Sequence, residues 1–382
     1  MKQNILFVGH DANRAGSQIL LLRFLTLLKA DGRFSFTVLL KDGGELEEEY
    51  RAVAPTFLWH QPVQKPSVLK RVVGRITNKM GLHTSTQSIL KESTFDLIVV
   101  NTFTNGELFP FLQSFGCPIL TYVHELEMGI QMYTHPEEFQ QVLKGSAGFI
   151  ACAESIRQNL LANHGVTDGQ IHVLPSLLPD NALIFEEKSS KSKALRAKYG
   201  IPADALLVGG MGTVDLRKGV DIFLRIANQV KQEPISFLWV GGKKEEVDFQ
   251  LFEIDRQKLG LHQLTFQDSV SNPLDYMAMF DIFCISSRED PYPLVVLEAA
   301  LLGKPILCFD EAGGAKDFVE EDAGVIVPYL DVKQMAAEIR QFQDNPVRIK
   351  QMGDQARKKV LERHDKERAF QKFVSILSTS IQ

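Results

Sequence analysis

Two doubly wound α/β domains are what this sequence predicts, and three observations carry that expectation. The chain has 382 residues, and one hydrophobic core rarely keeps growing past about 250–300 residues. Short apolar runs alternate with helical patterns along its length, which is the signature of repeated β-α units. A stretch with three prolines, Pro175–Pro202, breaks that rhythm near the middle and holds the polar run EEKSSKSK.

In the first half the strand-like runs are Ile5–Val8, Phe36–Leu40, Leu97–Val100, Ile119–Val123, Gly148–Cys152 and Ile171–Leu174. They are rich in Ile, Val, Leu or Phe and lack polar alternation, as strands buried on both faces of a parallel sheet do. Helical patterns lie between them, for example over Gln18–Lys29 and Ser155–Asn163. The second half repeats the scheme, with strands at Leu206–Gly209, Ser236–Val240, Leu264–Phe266, Ile282–Ser286, Pro305–Phe309 and Gly324–Val327. Its helices are expected over Val220–Lys231, Pro293–Leu302 and Val332–Gln343. The division expected is residues 1–180 for a first domain, 181–204 for a linker and 205–365 for a second domain. A last helix over 366–382 has no strand after it and would cross back to the first domain. Ligands of open α/β sheets bind outside the carboxyl ends of the strands, so two such sheets facing a central cleft would gather their chemistry there.

Composition sets limits. Apolar residues make up 45% and charged residues 23%, ordinary for a globular chain. A net charge of -5 gives no reason to expect nucleic acid as a partner. Cys117, Cys152, Cys284 and Cys308 form no CxxC pair, so core packing in a reducing compartment is expected rather than zinc or disulfides. The apolar start, Ile5–Val8, has only strand length and does not read as a signal peptide. ILLLRFLTLL from Ile19 is too short to span a membrane. A cytoplasmic location follows as the expectation.

The strongest chemical signal is SREDPYPLVVLEAALLGKP, Ser287–Pro305. It follows a strand and enters a helix, with Pro293 expected at the first helical position. Glu298 has Leu294, Val295, Leu301 and Leu302 as its helix-face neighbours. A carboxylate on such a face is costly unless bonded. It either accepts hydrogen bonds from adjacent sugar hydroxyls or is satisfied by a neighbouring Arg or Lys. Asp290, eight positions earlier, can bond hydroxyls of a second sugar or simply shape the turn before Pro291. The N–H groups of Leu294 and Val295 form an anion site suited to a diphosphate.

This acid-x7-Glu pattern, with Ser287, Arg288, Pro293, Leu294 and Ala299 around it, resembles the E-x7-E motif of retaining GT-B glycosyltransferases (glycosyltransferase family four, glycosyl transferases group 1). The first acid is Asp where Glu is commoner. The resemblance implies the GT-B architecture, two Rossmann-like domains facing a cleft, with a nucleoside-diphosphate-sugar donor as co-substrate and no cofactor. It extends to VGGMGTVDLRKGVDIFL, Val208–Leu224, which resembles the family's G-x-x-x-x-x-K-G segment. There Lys218 would hold the donor diphosphate. An Arg common about six residues earlier is replaced by Gly212-Thr213, so backbone amides, the Thr213 hydroxyl or Arg217 would compensate; otherwise Arg217 and Lys218 are a surface pair. GGMG also echoes a dinucleotide fingerprint weakly, but Asp215 stands where its third glycine belongs.

In the first half, HDANRAGSQILLL after Ile5–Val8 resembles the family's glycine loop, with Gly16 and Ser17 opening the helix. His124 ends strand Ile119–Val123, where the family often contacts the donor sugar; a structural histidine is the other reading. Glu125 and Glu127 follow it. FDEAGGAKDFV resembles the GG-x-x-E element with Asp317 in place of Glu, and Val270 matches the place where the backbone meets the base. No Asp-x-Asp occurs in the sequence, so charge neutralisation by Lys218 and helix amides is expected in place of a divalent ion.

From Tyr50 to Lys91 there is no Asp or Glu, and Leu69, Val72, Val73, Ile76 and Met80 recur at helical spacing among basic residues. Residues 65–80 therefore either lie on an anionic membrane surface, sit near a lipid-linked acceptor, or dock on their own domain. The expected activity is sugar transfer with retention to a sugar or lipid-linked acceptor, in polysaccharide or glycolipid assembly. The rivals are a nucleotide-sugar epimerase on the same fold and a non-catalytic nucleotide-sugar-binding protein.

Overall fold

The computed structural model describes residues 2–60, 85–178, 188–202 and 204–381. The basic segment 65–80 lies outside the described residues. The chain forms two compact units. The first gathers residues 1–152, 159–174 and 370–382, and the second residues 153–158 and 175–369.

The first unit is a seven-stranded, all-parallel sheet. Its strands are β1 (Asn4–Gly9), β2 (Ser35–Leu40), β3 (Thr56–Leu58), β4 (Leu97–Asn101), β5 (Ile119–Val123), β6 (Gly148–Ala151) and β7 (Ile171–Val173). The spatial order is β3-β2-β1-β4-β5-β6-β7. Ile5 pairs with Phe36 on one side and Leu97 on the other. All five residues of β4 are buried, which is why that run is continuously apolar until its polar last residue. The terminal helix Lys366–Ser380 adds Phe370, Phe373, Val374 and Leu377 to the core of this unit. Phe373 packs against Phe24 with ring centroids 4.6 Å apart and against Phe7 at 6.2 Å.

The second unit is a six-stranded parallel sheet built from β8 (Leu206–Met211), β9 (Ile235–Val240), β10 (Leu264–Gln267), β11 (Ile282–Ile285), β12 (Ile306–Phe309) and β13 (Gly324–Val327). The order is β10-β9-β8-β11-β12-β13. Helix Val220–Gln229 buries Ile222, Phe223 and Ile226 on the sheet, with Phe223 edge-on to Trp239 at 5.3 Å. Cys284 is buried in this same core cluster and Cys308 in the unit's other one, both as free thiols, and burial pushes the Cys284 thiol up to about 12. The polar stretch before β8 contains a helix, Lys188–Lys198, where a linker was expected. Leu195, Tyr199 and Ile201 pack on the second core, so this segment is part of the second unit.

Among the described residues no helix is long and apolar enough to cross a membrane.

Candidate active site

The strand order of the second sheet reverses between β8 and β11. The loops leaving these two strands flank a topological switch point, where open α/β sheets hold ligands. Asp215 shapes the first loop: its carboxylate accepts the Lys218 N–H at 2.6 Å and the Thr213 hydroxyl at 2.7 Å. That closure presents Lys218 at the loop's end, and Lys218 Nζ donates to Asp290 Oδ2 at 2.5 Å. The Lys218 side chain is 17% exposed and that of Asp290 only 9%. A pair so shielded is not a solvated surface contact.

Gly219 makes the junction possible. It precedes helix Val220–Gln229 with φ 69°, and a Cβ there would stand 1.9 Å from the Ser286 carbonyl oxygen. The Ser286 hydroxyl in turn donates to the Lys218 carbonyl at 3.2 Å. Arg217 donates to the Glu289 carbonyl at 3.0 Å and accepts the Arg288 N–H at its own carbonyl at 2.8 Å. It thus stitches the β8 loop to the β11 loop. Arg288 forks onto Asp221 with two bonds of 2.8 Å. Burial pushes the Asp221 carboxyl up, but the Arg288 fork and Arg225 outweigh it and hold it below its ordinary value.

Asp290 is held from behind by the two glycines of FDEAGGAKDFV. Its N–H donates to the Ala312 carbonyl at 2.7 Å, and its carbonyl accepts the Gly314 N–H at 3.2 Å. Gly313 has φ 115°, and a Cβ on it would lie 2.1 Å from the Asp290 oxygen. The two glycines thereby clamp the Asp290 backbone. Asp317, further along it, is exposed.

Helix Leu294–Leu301 follows. Pro293 is its N-cap, with ψ 121°, rather than its first helical residue as expected, because an extended ψ places it outside the helical turn. No side chain caps this end, which leaves the first-turn N–H groups of Leu294 and Val295 oriented for an external acceptor. Glu298 lies one turn further on and is half-buried. Gly212 follows β8 directly, and Trp239 Nε1 donates to its carbonyl at 3.2 Å. Val270, also half-buried, lines a cavity of about 570 Å³ together with Leu195, Lys198, Asn272 and Tyr276.

The first sheet has its own switch point, between β1 and β4, and a polar cluster sits over it. His10 and Asp11 follow β1, Asn101 ends β4, and His124 and Glu125 follow β5. Gln18 donates to Asp11 at 2.6 Å, and His10 Nε2 lies 3.0 Å from the other Asp11 oxygen. Burial works against ionisation of Asp11, yet its bonds to His10, Asn13 and Gln18 hold its carboxyl far below the ordinary value. His124 Nε2 is 2.9 Å from Asn101 Oδ1. Gly16 is the first residue of helix Gly16–Asp31.

Glu125 Oε2 accepts the N–H groups of His124 at 3.0 Å and Phe103 at 3.4 Å. Burial nevertheless dominates and pushes its carboxyl up from 4.5 to about 7. A carboxyl raised in the folded state contributes stability that is fully present below its unfolded value and is lost as pH rises through the folded one. Glu125→Gln should therefore gain stability relative to the native chain between pH 4.5 and 8, by about 3 kcal/mol. Denaturant unfolding of both proteins across that range measures it; parallel pH curves would show that Glu125 does not titrate high.

Asp215, His10, Asp11, Gln18 and Asn101 carry no role in the sequence reading. A signal for four of them was present: VGHD and VVN end apolar runs in polar residues, and Asp215 lies within the loop that carries Lys218.

Residues 191–359 match the family model described as Glycosyl transferases group 1. The chain is 31% identical over 152 residues to the lipopolysaccharide core biosynthesis glycosyltransferase LpsD of Rhizobium meliloti, a match covering 40% of this chain and 43% of that protein. It spans less than half the length of that relative. It is 24% identical over 319 residues to D-inositol 3-phosphate glycosyltransferase 1 of Catenulispora acidiphila, covering 76% and 73% of the two chains. Among solved structures, Anabaena Alr3699/HepE in complex with UDP and glucose superposes with a TM-score of 0.79 at 19% identity, over 99% of this chain and 100% of that one. The match to the group 1 model lies in the second unit, and the two parallel sheets have the GT-B fold.

Proposed function

We propose that the protein is a retaining, metal-independent hexosyltransferase that moves a sugar from a nucleoside-diphosphate-sugar to a hydroxyl of a sugar- or lipid-linked acceptor. The observation that carries this reading is the shielded Lys218–Asp290 pair beside the uncapped start of helix Leu294–Leu301. A cation and oriented amides at a switch point match a diphosphate, and the adjacent carboxylates match sugar and ribose hydroxyls. The structural neighbour HepE has been solved with UDP and with UDP-glucose, which supports a nucleotide-sugar as the class of donor.

In the reaction the bond from the sugar's anomeric carbon to the diphosphate oxygen breaks, and its electron pair leaves with the diphosphate. The acceptor oxygen bonds to the anomeric carbon, and its proton passes to the departing phosphate oxygen on the same face. Negative charge builds on the leaving group, where Lys218 and the Leu294–Val295 amides lower the barrier. Glu298 holds the ribose diol, Asp290 the donor sugar, and in the first unit His124 bonds a sugar hydroxyl.

Thermal unfolding against UDP, GDP and ADP tests the donor site. A ligand that binds only the native state adds about 2.7 kcal/mol at 100 times its dissociation constant. One nucleotide is expected to raise the melting temperature, with the shift abolished in Lys218→Ala and Glu298→Ala. Indifference to all three would remove the basis for a nucleotide-sugar donor.

A further inference from the structure

The polar cluster of the first unit fixes more than the position of His124; the inference rests on the assignment of that residue to a sugar hydroxyl. Asn101 is 1% exposed at the end of β4. Its Nδ2 donates to the Ser17 carbonyl at 3.4 Å, and its Oδ1 faces His124 Nε2 at 2.9 Å. An amide oxygen can only accept, so the imidazole must carry its hydrogen on Nε2. Its lone pair is then on Nδ1, which has no hydrogen-bond partner among the described residues.

The backbone around Asn101 is specialised in the same sense. Thr102, the next residue, has φ 79° and ψ 154°, a region a β-branched residue avoids unless its surroundings impose it. The imposing contact is its N–H, which donates to the Tyr122 carbonyl of β5 at 2.8 Å. Asn105 donates from its side chain to the Asn101 carbonyl at 2.8 Å, and Glu125 secures the His124 N–H. Both ends of the Asn101–His124 bond are therefore tied to the sheet. Burial and the nearby His10 push the His124 ring down to about 3, so the ring is neutral near pH 7.

We propose that Asn101 is a positioning residue that holds His124 as the Nε2–H tautomer, so that His124 engages its ligand only as a hydrogen-bond acceptor at Nδ1. A ligand hydroxyl must then donate to it, and a methyl ether or a carbonyl at that position is rejected. The same groups would serve a donor quite differently if the tautomer were reversed, so the amide at residue 101 is a determinant of which sugar atoms are tolerated.

Nitrogen-15 spectra of histidine-labelled full-length protein test this, with the His124 signals identified by their loss in His124→Gln. The expected native pattern is a neutral ring with a protonated Nε2 whose hydrogen is slow to exchange with water. Asn101→Ala should lose that slowly exchanging signal, and Asn101→Asp, which keeps an acceptor, should retain it and raise the pH at which the ring protonates. A native ring protonated at Nδ1 overturns the proposal, as does an equally protected Nε2–H in Asn101→Ala. The spectra are recorded without nucleotide, so they stand or fall separately from the melting shifts that test the donor site.

Discussion

Replacing Lys218 by Ala is expected to produce two separable losses. Turnover should fall by about 10²–10³-fold, the usual cost of removing one preorganised group that meets charge developing on a leaving group. The ligand-free protein should also lose stability, because the substitution strands the Asp290 carboxylate, whose side chain is 9% exposed. Breaking a fully buried pair costs about 3–5 kcal/mol. Lys218 is 17% exposed, so water reaches the vacated position and about 2 kcal/mol is the expected cost. The double variant Lys218→Ala/Asp290→Asn separates the two. Removing the stranded charge should return most of the stability but none of the turnover. Denaturant unfolding and initial rates with the donor selected by the melting screen would show this. A Lys218→Ala enzyme of native rate would remove Lys218 from the diphosphate, whatever its stability.

The sequence makes both members of that pair visible and hides their contact. β8 and β11 are legible because Leu206–Gly209 and Ile282–Ser286 are short, mainly apolar runs, and the loops after them are where an open sheet places its ligand. Lys218 and Asp290 are 72 positions apart. Their contact depends on strand order, which local periodicity does not encode. For the same reason the clamp of Gly313 and Gly314 on the Asp290 backbone is invisible in FDEAGGAKDFV. The edge strand β3 escapes notice at three residues, preceded by Pro55. In the first unit, His10, Asn101 and His124 stand at three strand ends that lie side by side only because the order is β1-β4-β5. His10 and Asn101 are unremarked polar residues until the sheet is assembled and sets them beside His124. The helix Lys188–Lys198 hides behind its composition, since its polar run resembles a linker and only Leu195, Tyr199 and Ile201 reveal a packed face.

Gly219→Ala should be among the most damaging small substitutions in the second unit, and Gly260→Ala shows why. Both glycines have left-handed backbones, φ 69° and 64°, so the conformational penalty for an L side chain is common to the two, about 1 kcal/mol. At Gly260 a Cβ meets nothing within 4 Å. At Gly219 it would stand 1.9 Å from the Ser286 oxygen and 2.7 Å from the Ser286 carbonyl carbon. Both are backbone atoms at the end of a central strand and cannot rotate away. Gly219 is also the residue whose carbonyl accepts the Ile222 and Phe223 N–H groups, so moving it moves the start of helix Val220–Gln229. Relief must come from displacing the loop that carries Lys218, and that separates Lys218 from Asp290. Gly219→Ala is therefore expected to cost more than about 4 kcal/mol and to abolish the nucleotide-dependent melting shift, while Gly260→Ala costs about 1 kcal/mol and keeps that shift. Denaturant unfolding and the nucleotide screen on both variants measure the contrast. Equal behaviour of the two would mean that the β8 and β11 loops separate freely, and Lys218 would then have no fixed place from which to meet a diphosphate.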